Sequence, residues 1–396
     1  MSPGPAPFGA FSTVWFFYFA AIGMFNPYAP LWFKDLGFST LAIGAIASLQ
    51  SWTRIGAPYG WGWLGDHGGQ RVQLIRWAAA ACVLCAAGLL WARGYGAVAT
   101  CTVLLFIANG AIVPLSEAAL SRHLSRGGEM DAARYGRVRV WGSVGFIVTV
   151  VAAGGVLQVA GIAWFPWLVT GMFVLLWLAT LQLPAGRDEV AGHGQAPAVL
   201  SVLRQPVVAW FFASVFFTVL AHTSLYTFLS LYLDSLGYPK SAVGGLWAVS
   251  VVVEIGFFWF QGRFFGRMDA HRWLQWAAAL SVLRFAVTAA FGSQVLMLVA
   301  AQLLHAVTFA AQHAACIVLI NRHFAGPLRG RGQALYSVLG YGISGVIGGI
   351  GGGWLSSRHG YPVVFWAAVV AAALGWLCAR VAARAAETQT SVGAPG

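Results

Sequence analysis

Charge is scarce in this sequence. Only 9% of its 396 residues are Asp, Glu, Lys or Arg, whereas 59% are hydrophobic and the mean hydropathy is +0.74. Soluble domains carry about 25% charged residues, so this composition excludes a soluble fold. Common enzyme motifs are also lacking, because the chain has no His-Glu-x-x-His, no Gly-x-Ser-x-Gly and no Gly-x-x-x-x-Gly-Lys phosphate loop. We therefore expect no enzyme, no cofactor and no bound metal, and ATP is not the expected energy source.

Acidic residues are fewer than basic ones, 11 against 23, and the formal net charge is +12. Sixteen of the basic residues fall in loops on one side of a membrane and in the C-terminal tail, four fall on the other side, and three lie inside apolar segments. By the positive-inside rule, this asymmetry predicts that both termini are cytoplasmic. Membrane topology thus accounts for the basic charge, and we expect no nucleic-acid partner. Met1–Ala10 has no Lys or Arg and lacks the charged start of a signal peptide.

Twelve apolar segments are each long enough to span a bilayer, which takes roughly 20 residues. Continuous runs of this length indicate helices, since the strands of a membrane barrel alternate in short stretches. We therefore predict an all-α membrane protein with twelve transmembrane helices. The segments are 11–33, 41–64, 73–92, 97–121, 136–157, 162–183, 206–233, 241–265, 273–291, 294–320, 332–355 and 361–381.

The two halves of the chain repeat each other at an offset of 200 residues. Leu31–Phe38 returns as Leu231–Tyr238, and Ala42–Gly44 aligns with Ala242–Gly244. The repeat predicts two six-helix bundles of the same orientation, 1–185 and 206–396, joined by a polar cytoplasmic linker over 186–205. Parallel repeats are typical of secondary transporters that hold their substrate near the bilayer midplane. A duplicated channel or receptor is the alternative.

Several motifs resemble those of the major facilitator superfamily. Gly62–Arg71 is similar to the loop signature between helices 2 and 3 of that superfamily, although His67 stands where Arg or Lys is usual. Phe17–Trp32, Pro114–Ala118 and Gly136–Gly142 resemble the lactose permease family and, more closely, its phenylpropionate permease relatives. The resemblance covers nearly the whole chain and implies the twelve-helix fold of that superfamily. It also implies a gating loop that contains Gly62, Gly65, Asp66 and Arg71.

Two charged residues of the first half are candidates for substrate binding. Glu117 lies in the fourth apolar segment and Arg139 begins the fifth, so the simplest prediction is a salt bridge that neutralises both in a low dielectric. The resemblance implies instead that the pair binds substrate. It also places Phe146 at the position of a sugar-stacking aromatic residue, a change that weakens any case for a galactoside. Asn26, beside Pro27 in a predicted helix break, is the fourth candidate.

Arg54 lies in the middle of the second apolar segment, where a charge is costly. The planar guanidinium group suits bidentate recognition of a carboxylate, so Arg54 favours an organic acid as substrate. The alternative is that Arg54 pairs with a backbone carbonyl or with Asp66. The sequence leaves both possibilities open.

The second half contains three residues with the chemistry of proton coupling. Glu254 and Arg284 lie inside apolar segments, and we expect them to form a tunable pair. His305 matches a histidine that the resemblance associates with coupling. The family's coupling carboxylate, one turn further on, is replaced by Thr308, so the proton carrier must differ. We therefore predict a coupling group of Glu254, Arg284 and His305, with His313 as a weaker candidate.

These observations favour a proton-coupled symporter of the inner membrane that imports a small organic solute such as an aromatic carboxylate. A symporter for a neutral sugar or nucleoside is the first alternative. Drug efflux, a membrane-embedded enzyme and a membrane receptor are less favoured. The expected partners are the solute, protons and the lipid bilayer, and we expect a monomer.

Overall fold

The computed structural model describes residues 8–126, 129–184 and 199–392. Over these ranges the chain is helical, apart from turns and one pair of two-residue antiparallel strands, β1 (Ser125–Arg126) and β2 (Glu129–Met130). Most of the predicted linker, 186–198, lies outside the described residues.

The helices of the first half follow the predicted apolar segments. The fourth segment divides into two helices at Gly110. The helices are α1 (Phe8–Asp35), α2 (Thr40–Gly68), α3 (Arg71–Gly88), α4 (Tyr95–Asn109), α5 (Ile112–Leu124), α6 (Ala132–Ala160), a 3-10 turn (Ile162–Trp164) and α7 (Phe165–Leu181).

The second half contains two π-helical segments that interrupt longer helices, and three 3-10 turns. The helices are α8 (Leu200–Leu203), α9 (Pro206–Ser235), α10 (Lys240–Phe260), α11 (Ala270–Ala290), α12 (Val295–Leu303), α13 (Gln312–His323), α14 (Arg329–Leu335), α15 (Ser344–His359) and α16 (Tyr361–Val392). The π-helical segments are Ala306–Ala311 and Tyr336–Ile343, and the 3-10 turns are Gln261–Arg263, Phe265–Arg267 and Gly326–Leu328.

In the described part of the chain, eleven helical segments are long and apolar enough to cross a membrane. Helix α2 has 29 residues, which is also long enough, but it is not among these eleven. Its composition is less apolar because it includes Gln50, Arg54 and Asp66. The prediction of an all-α, multi-pass membrane protein is confirmed.

The sequence repeat is also a structural repeat. Helix α1 ends at Asp35 and α9 ends at Ser235. The turns that follow contain Gly37 and Gly237, whose φ angles are +83° and +80°. Glycine adopts this left-handed conformation without the steric cost that a Cβ would add. The same turn therefore separates α1 from α2 and α9 from α10.

The chain divides into two compact units. The first unit comprises the described residues of Met1–Ala42, Trp52–His193 and Tyr238–Ala248, and the second comprises those of Ile43–Ser51, Gly194–Gly237 and Val249–Gly396. In the first, α1 packs against α6 and α7, and in the second, α9 packs against α15 and α16. Helices α2 and α10 each contribute residues to both units.

Close backbone approaches explain this division. In the first unit, a Cβ added at Gly244 would collide with the carbonyl oxygen of Val150, and in the second unit a Cβ at Gly44 would collide with that of Gly349. Gly44 and Gly244 are equivalent positions of the repeat. Glycine at these positions lets α10 approach α6 and lets α2 approach α15, each within one unit.

Candidate functional site

Arg139 lies among aromatic rings in the first unit. Its guanidinium carbon is 4.9 Å from the ring centroid of Trp15 and 4.6 Å from that of Phe19, both on α1. One turn further along α6, a Cβ at Gly142 would come within 2.6 Å of the Phe19 ring, so glycine is what lets the two helices approach here. The electron-rich faces of these rings stabilise the cation, and they leave the donors of the guanidinium group available to an anion.

Glu117 is held by a phenol. Its Oε1 accepts a hydrogen bond of 3.0 Å from the hydroxyl of Tyr135 on α6. Within the described ranges no ion pair joins Glu117 to Arg139, so the simple prediction of a salt bridge differs from the structure. Aromatic side chains lie next to both groups instead: the rings of Trp15 and Phe19 contact Arg139, and the hydroxyl of Tyr135 contacts Glu117. The carboxylate and the guanidinium therefore each keep a capacity to bind another group.

Several buried polar atoms of the first unit have no hydrogen-bond partner among the described residues. They include Trp15 Nε1, Asn109 Oδ1 and Ser116 Oγ. The amide nitrogen of Asn109 lies 3.4 Å from the hydroxyl of Tyr18, which shows that its side chain is only half satisfied. Buried polar atoms normally have a partner, so a bound solute or water is the expected complement. Sequence reasoning missed Asn109 and Ser116, although each is a polar residue inside an apolar run.

The other predicted substrate residues occupy three different settings. Phe146 is half-buried on α6, and its ring centroid lies 6.3 Å from that of Trp247. Asn26 is half-buried on α1. Arg54 is exposed on α2, and its guanidinium group makes no hydrogen bond or ion pair with a described residue. The alternative in which Arg54 pairs with Asp66 or a carbonyl is therefore not what the structure shows.

The predicted gating loop is a tight turn closed by an ion pair. Arg71 Nη2 donates to Asp66 Oδ1 at 2.8 Å, across a turn in which Gly69 adopts a φ of +60°. A Cβ at Gly65 would lie 2.7 Å from a methyl group of Leu115, so glycine lets the end of α2 approach α5. Gly62 has no such constraint, since nothing lies within 4 Å of its Cβ position.

Arg284 is the most deeply buried ion of the second unit, with 1% of its surface exposed. Its guanidinium group donates to Gln302 Oε1 at 2.7 Å and to Thr308 Oγ1 at 2.9 Å, and Nη1 lies 3.0 Å from His305 Nδ1. The hydroxyl of Ser250 also donates to Gln302 Oε1, at 2.6 Å. The buried cation is therefore solvated by neutral groups, and no carboxylate of the described residues contacts it directly.

His305 connects this cation to a carboxylate. Arginine has donors and no acceptor, so Nδ1 of His305 must accept from Arg284, and its proton resides on Nε2. Nε2 lies 3.4 Å from Oε2 of Glu254, whose side chain is 22% exposed. The imidazole is thus neutral and bridges the two ions. The structure brings the three predicted coupling residues together, with His305 between Glu254 and Arg284 where a direct pair was expected.

An aromatic stack continues from His305 along the same helical stretch. The ring of Phe309 stacks on His305 at 4.8 Å between centroids, and His313 follows at 6.4 Å. His313 Nδ1 lies 3.0 Å from the hydroxyl of Tyr336, which lies 3.2 Å from that of Tyr341. This row of imidazole and phenol groups links α13 to the second π-helical segment.

Both π-helical segments carry residues of this cluster. Ala306–Ala311 contains Thr308 and Phe309, and Tyr336–Ile343 contains both tyrosines of the hydrogen-bonded pair. Such segments occur frequently at functional sites because they re-aim side chains within a helix. Sequence reasoning missed these tyrosines, since π-helical geometry leaves no signal in hydrophobic periodicity. Among the described residues no group of three or more His, Cys, Asp or Glu side chains could hold a metal ion.

Comparison with known proteins identifies the family. The sequence model of the MFS_1 like family matches residues 9–367. This chain belongs to that family.

Two curated relatives and one solved structure illustrate the similarity. The probable 3-phenylpropionic acid transporter of Escherichia coli (strain K12) is 28% identical over 386 residues, covering 91% of this chain and 95% of the relative. The maltose permease of Geobacillus stearothermophilus is 28% identical over 286 residues, covering 71% and 70%. The crystal structure of a mutant of the nucleoside transporter NupG superposes with a TM-score of 0.80 at 17% identity, covering 96% and 99%. The expected major facilitator fold is confirmed.

The family membership settles the general activity. The chain is a multi-pass membrane transporter of the major facilitator kind that acts on a small molecule, and its relatives and structural neighbours are transporters rather than enzymes.

Proposed function

We propose that this transporter is a proton-coupled symporter of the inner membrane that imports an aromatic carboxylate such as 3-phenylpropionate. It acts by alternating access, as a monomer with both termini in the cytoplasm. The orientation follows from the distribution of Lys and Arg between the two sides of the membrane.

The chemistry of the first unit supports an aromatic carboxylate. Arg139 and Arg54 have guanidinium donors that no carboxylate of the described residues occupies. Arginine binds carboxylates through two parallel hydrogen bonds. Phe19 and Phe146, which are half-buried, supply ring surface for a phenyl group, to which offset or edge contacts contribute about 0.5–1.5 kcal/mol each. The E. coli relative described as a probable 3-phenylpropionic acid transporter supports the same choice.

The Glu254–His305–Arg284 chain is the observation that carries the proposed coupling. With Glu254 ionised, its negative charge compensates the buried guanidinium through the imidazole. A proton on Glu254 removes this compensation and leaves the unit one charge more positive. Binding of a proton and binding of an anionic solute then favour each other, as linkage requires. Symport follows because the transporter avoids an uncompensated charge in two states. One carries both the proton and the anionic solute, and the other carries neither.

The substitution Glu254→Gln tests this coupling. Purified protein is reconstituted into proteoliposomes, and uptake of radiolabelled 3-phenylpropionate is measured with an inward proton gradient and in counterflow without one. We expect the variant to lose accumulation above equilibrium and to keep counterflow, since an amide keeps a polar group beside His305 Nε2 but does not titrate. Asp35→Asn, an exposed carboxylate at the end of α1, is the control. Gradient-driven accumulation by Glu254→Gln at the wild-type level would refute the role of Glu254.

A neutral sugar is the second candidate, and the similarity to the maltose permease favours it. The two candidates differ in their need for Arg54. Transport of a carboxylate requires the free guanidinium, whereas transport of a neutral sugar tolerates Arg54→Ala. Uptake of 3-phenylpropionate and of maltose by the wild type and this variant separates the two.

A further inference from the structure

A cavity of about 830 Å³ lies in the second unit where α11 begins. None of the proposed coupling or substrate residues lines it. Its charged and aromatic lining residues are Arg267, Asp269, His271, Arg272, Trp276, Arg322, Trp376 and Glu387.

Two of the three arginines in this lining have unused guanidinium donors. The side chains of Arg267 and Arg272 make no hydrogen bond, ion pair or ring contact with a described residue. Arg322 lies 3.5 Å from Asp269 Oδ1. Partial burial alone would raise the pKa of Asp269, but the hydrogen bond from the His271 N–H and the charges of His271 and Arg322 outweigh it, so its pKa lies below the ordinary value. Asp269 therefore stays anionic. With Glu387 the lining holds two carboxylates against three arginines, so a net positive charge remains, and the guanidinium donors of Arg267 and Arg272 are available to a ligand.

His271 adds an unpartnered donor to the same wall. Its side chain is almost fully buried, at 4% exposure, and neither ring nitrogen has a hydrogen-bond partner among the described residues. A buried polar group without a partner costs free energy, and an acceptor bound in the cavity would remove that cost. Two arginines and an imidazole line one space, and donors of this kind suit the oxygens of a phosphate group.

Tryptophans complete the cavity on its apolar side. Trp276 is 56% exposed, and it lies six residues into α11, about 9 Å from the start of that helix. Trp376 of α16 lines the same space. Indole rings concentrate at the headgroup level of membranes, and basic pockets between transmembrane helices on the cytoplasmic side bind anionic headgroups. A free phosphate ion would leave the exposed indole of Trp276 uncovered.

We propose that this cavity binds the phosphate of an anionic phospholipid from the cytoplasmic leaflet. Arg267 and Arg272 bind the phosphate oxygens, and His271 donates a hydrogen bond to one phosphate oxygen. The glycerol and the first acyl carbons lie against Trp276 and Trp376. The site is separate from the transport chemistry and holds the end of the second unit at a fixed depth in the bilayer.

Native mass spectrometry of the full-length protein in detergent tests this proposal. The probes are dioctanoyl phosphatidylglycerol, dioctanoyl phosphatidylcholine and inorganic phosphate. We expect the wild type to retain one phosphatidylglycerol in preference to phosphatidylcholine. Loss of one charge-assisted hydrogen bond weakens binding about tenfold, so R267Q/R272Q should bind at least tenfold more weakly. The control R263Q/R329Q removes the same charge from exposed arginines of the same unit that do not line the cavity.

The outcomes of this experiment decide what occupies the cavity. Equal retention of phosphatidylglycerol by the wild type and R267Q/R272Q, or equal retention of the two lipids by the wild type, overturns the proposal. Displacement of the lipid by millimolar inorganic phosphate, with the same dependence on the two arginines, reassigns the site to a free anion and overturns the lipid. If the double variant fails to fold, R272Q alone decides, with an expected tenfold loss.

Discussion

The two units stabilise the charged side chains of their apolar helices in different ways. Each contains a guanidinium and a carboxylate within helices of membrane length, where unpaired ions are costly. In the first unit, Arg139 lies over two aromatic rings and Glu117 accepts from Tyr135. In the second, Arg284 is enclosed by amide, hydroxyl and imidazole groups and reaches Glu254 through His305.

This difference separates two tasks. Aromatic faces stabilise a cation without using its hydrogen-bond donors, so the first unit keeps donors for a solute. The relay of the second unit uses most of the donors of Arg284 internally, and its one variable is the charge on Glu254. In the proposed mechanism the first unit therefore serves solute recognition and the second serves proton coupling, although the two halves of the chain repeat each other in sequence.

The largest effect is expected at Arg284. Removing one partner of a buried charge arrangement costs about 3–5 kcal/mol, so Arg284→Met should strongly lower the thermal stability of the purified protein. The matched variant in the first unit, Arg139→Met, loses only cation–π contacts of about 1–2 kcal/mol. Thermal unfolding followed by tryptophan fluorescence compares them. A larger loss of thermal stability for Arg139→Met than for Arg284→Met would contradict this difference between the two units.

The reverse order is expected for solute affinity. A charge-assisted hydrogen bond contributes about 1.5–3 kcal/mol, so Arg139→Met should weaken binding of 3-phenylpropionate between about tenfold and a hundredfold. Isothermal calorimetry on purified protein measures this change. Arg93→Met, which removes an arginine near the start of α4, is the control. Wild-type affinity in Arg139→Met would remove Arg139 from the binding site.

The glycines at equivalent repeat positions should respond alike. A methyl group at Gly44 or Gly244 collides with a backbone carbonyl, and overpacking of this kind costs about 1–3 kcal/mol. We expect Gly44→Ala and Gly244→Ala to lower the unfolding temperature by similar amounts. Gly56→Ala on α2 and Gly245→Ala on α10 are the controls, since nothing lies within 4 Å of their Cβ positions. Unequal effects at the two test positions would show that the repeat is not mechanically equivalent.

The smallest effect concerns the phenol that holds Glu117. Tyr135→Phe removes one hydrogen bond to a half-buried carboxylate and should cost about 1 kcal/mol of stability. If Glu117 contributes to solute binding, the affinity for 3-phenylpropionate changes as well, and calorimetry detects the change. An unchanged affinity together with lowered stability would confine Glu117 to a structural role.

Sequence reasoning recovered the helices and the repeat because both depend on hydropathy and on glycine turns. Gly37 and Gly237 adopt the same positive φ. Charged groups in apolar runs need partners, which singled out Glu254 and Arg284, and the family resemblance added His305. The structure places the three side chains in one cluster, while their role in coupling stays a prediction. Hydropathy cannot show which neighbouring group a charged side chain contacts.

The predicted Glu117–Arg139 salt bridge shows that limit. The ring faces of α1 and the hydroxyl of Tyr135 reach the two ions instead. The hydrogen-bonded pair Tyr336–Tyr341 was missed for a related reason, since a π-helical segment shifts the register of side chains without any change in apolar pattern. The sequence likewise cannot show that Asn109 Oδ1 is buried without a hydrogen-bond partner among the described residues.

Simultaneous recording of solute and proton movement tests the central claim most directly. Proteoliposomes in weakly buffered medium receive labelled 3-phenylpropionate while external pH is followed with an electrode. The account predicts that external pH rises in step with solute uptake by the wild type, and that Glu254→Gln gives no pH change. Solute accumulation by the wild type at constant external pH would contradict it.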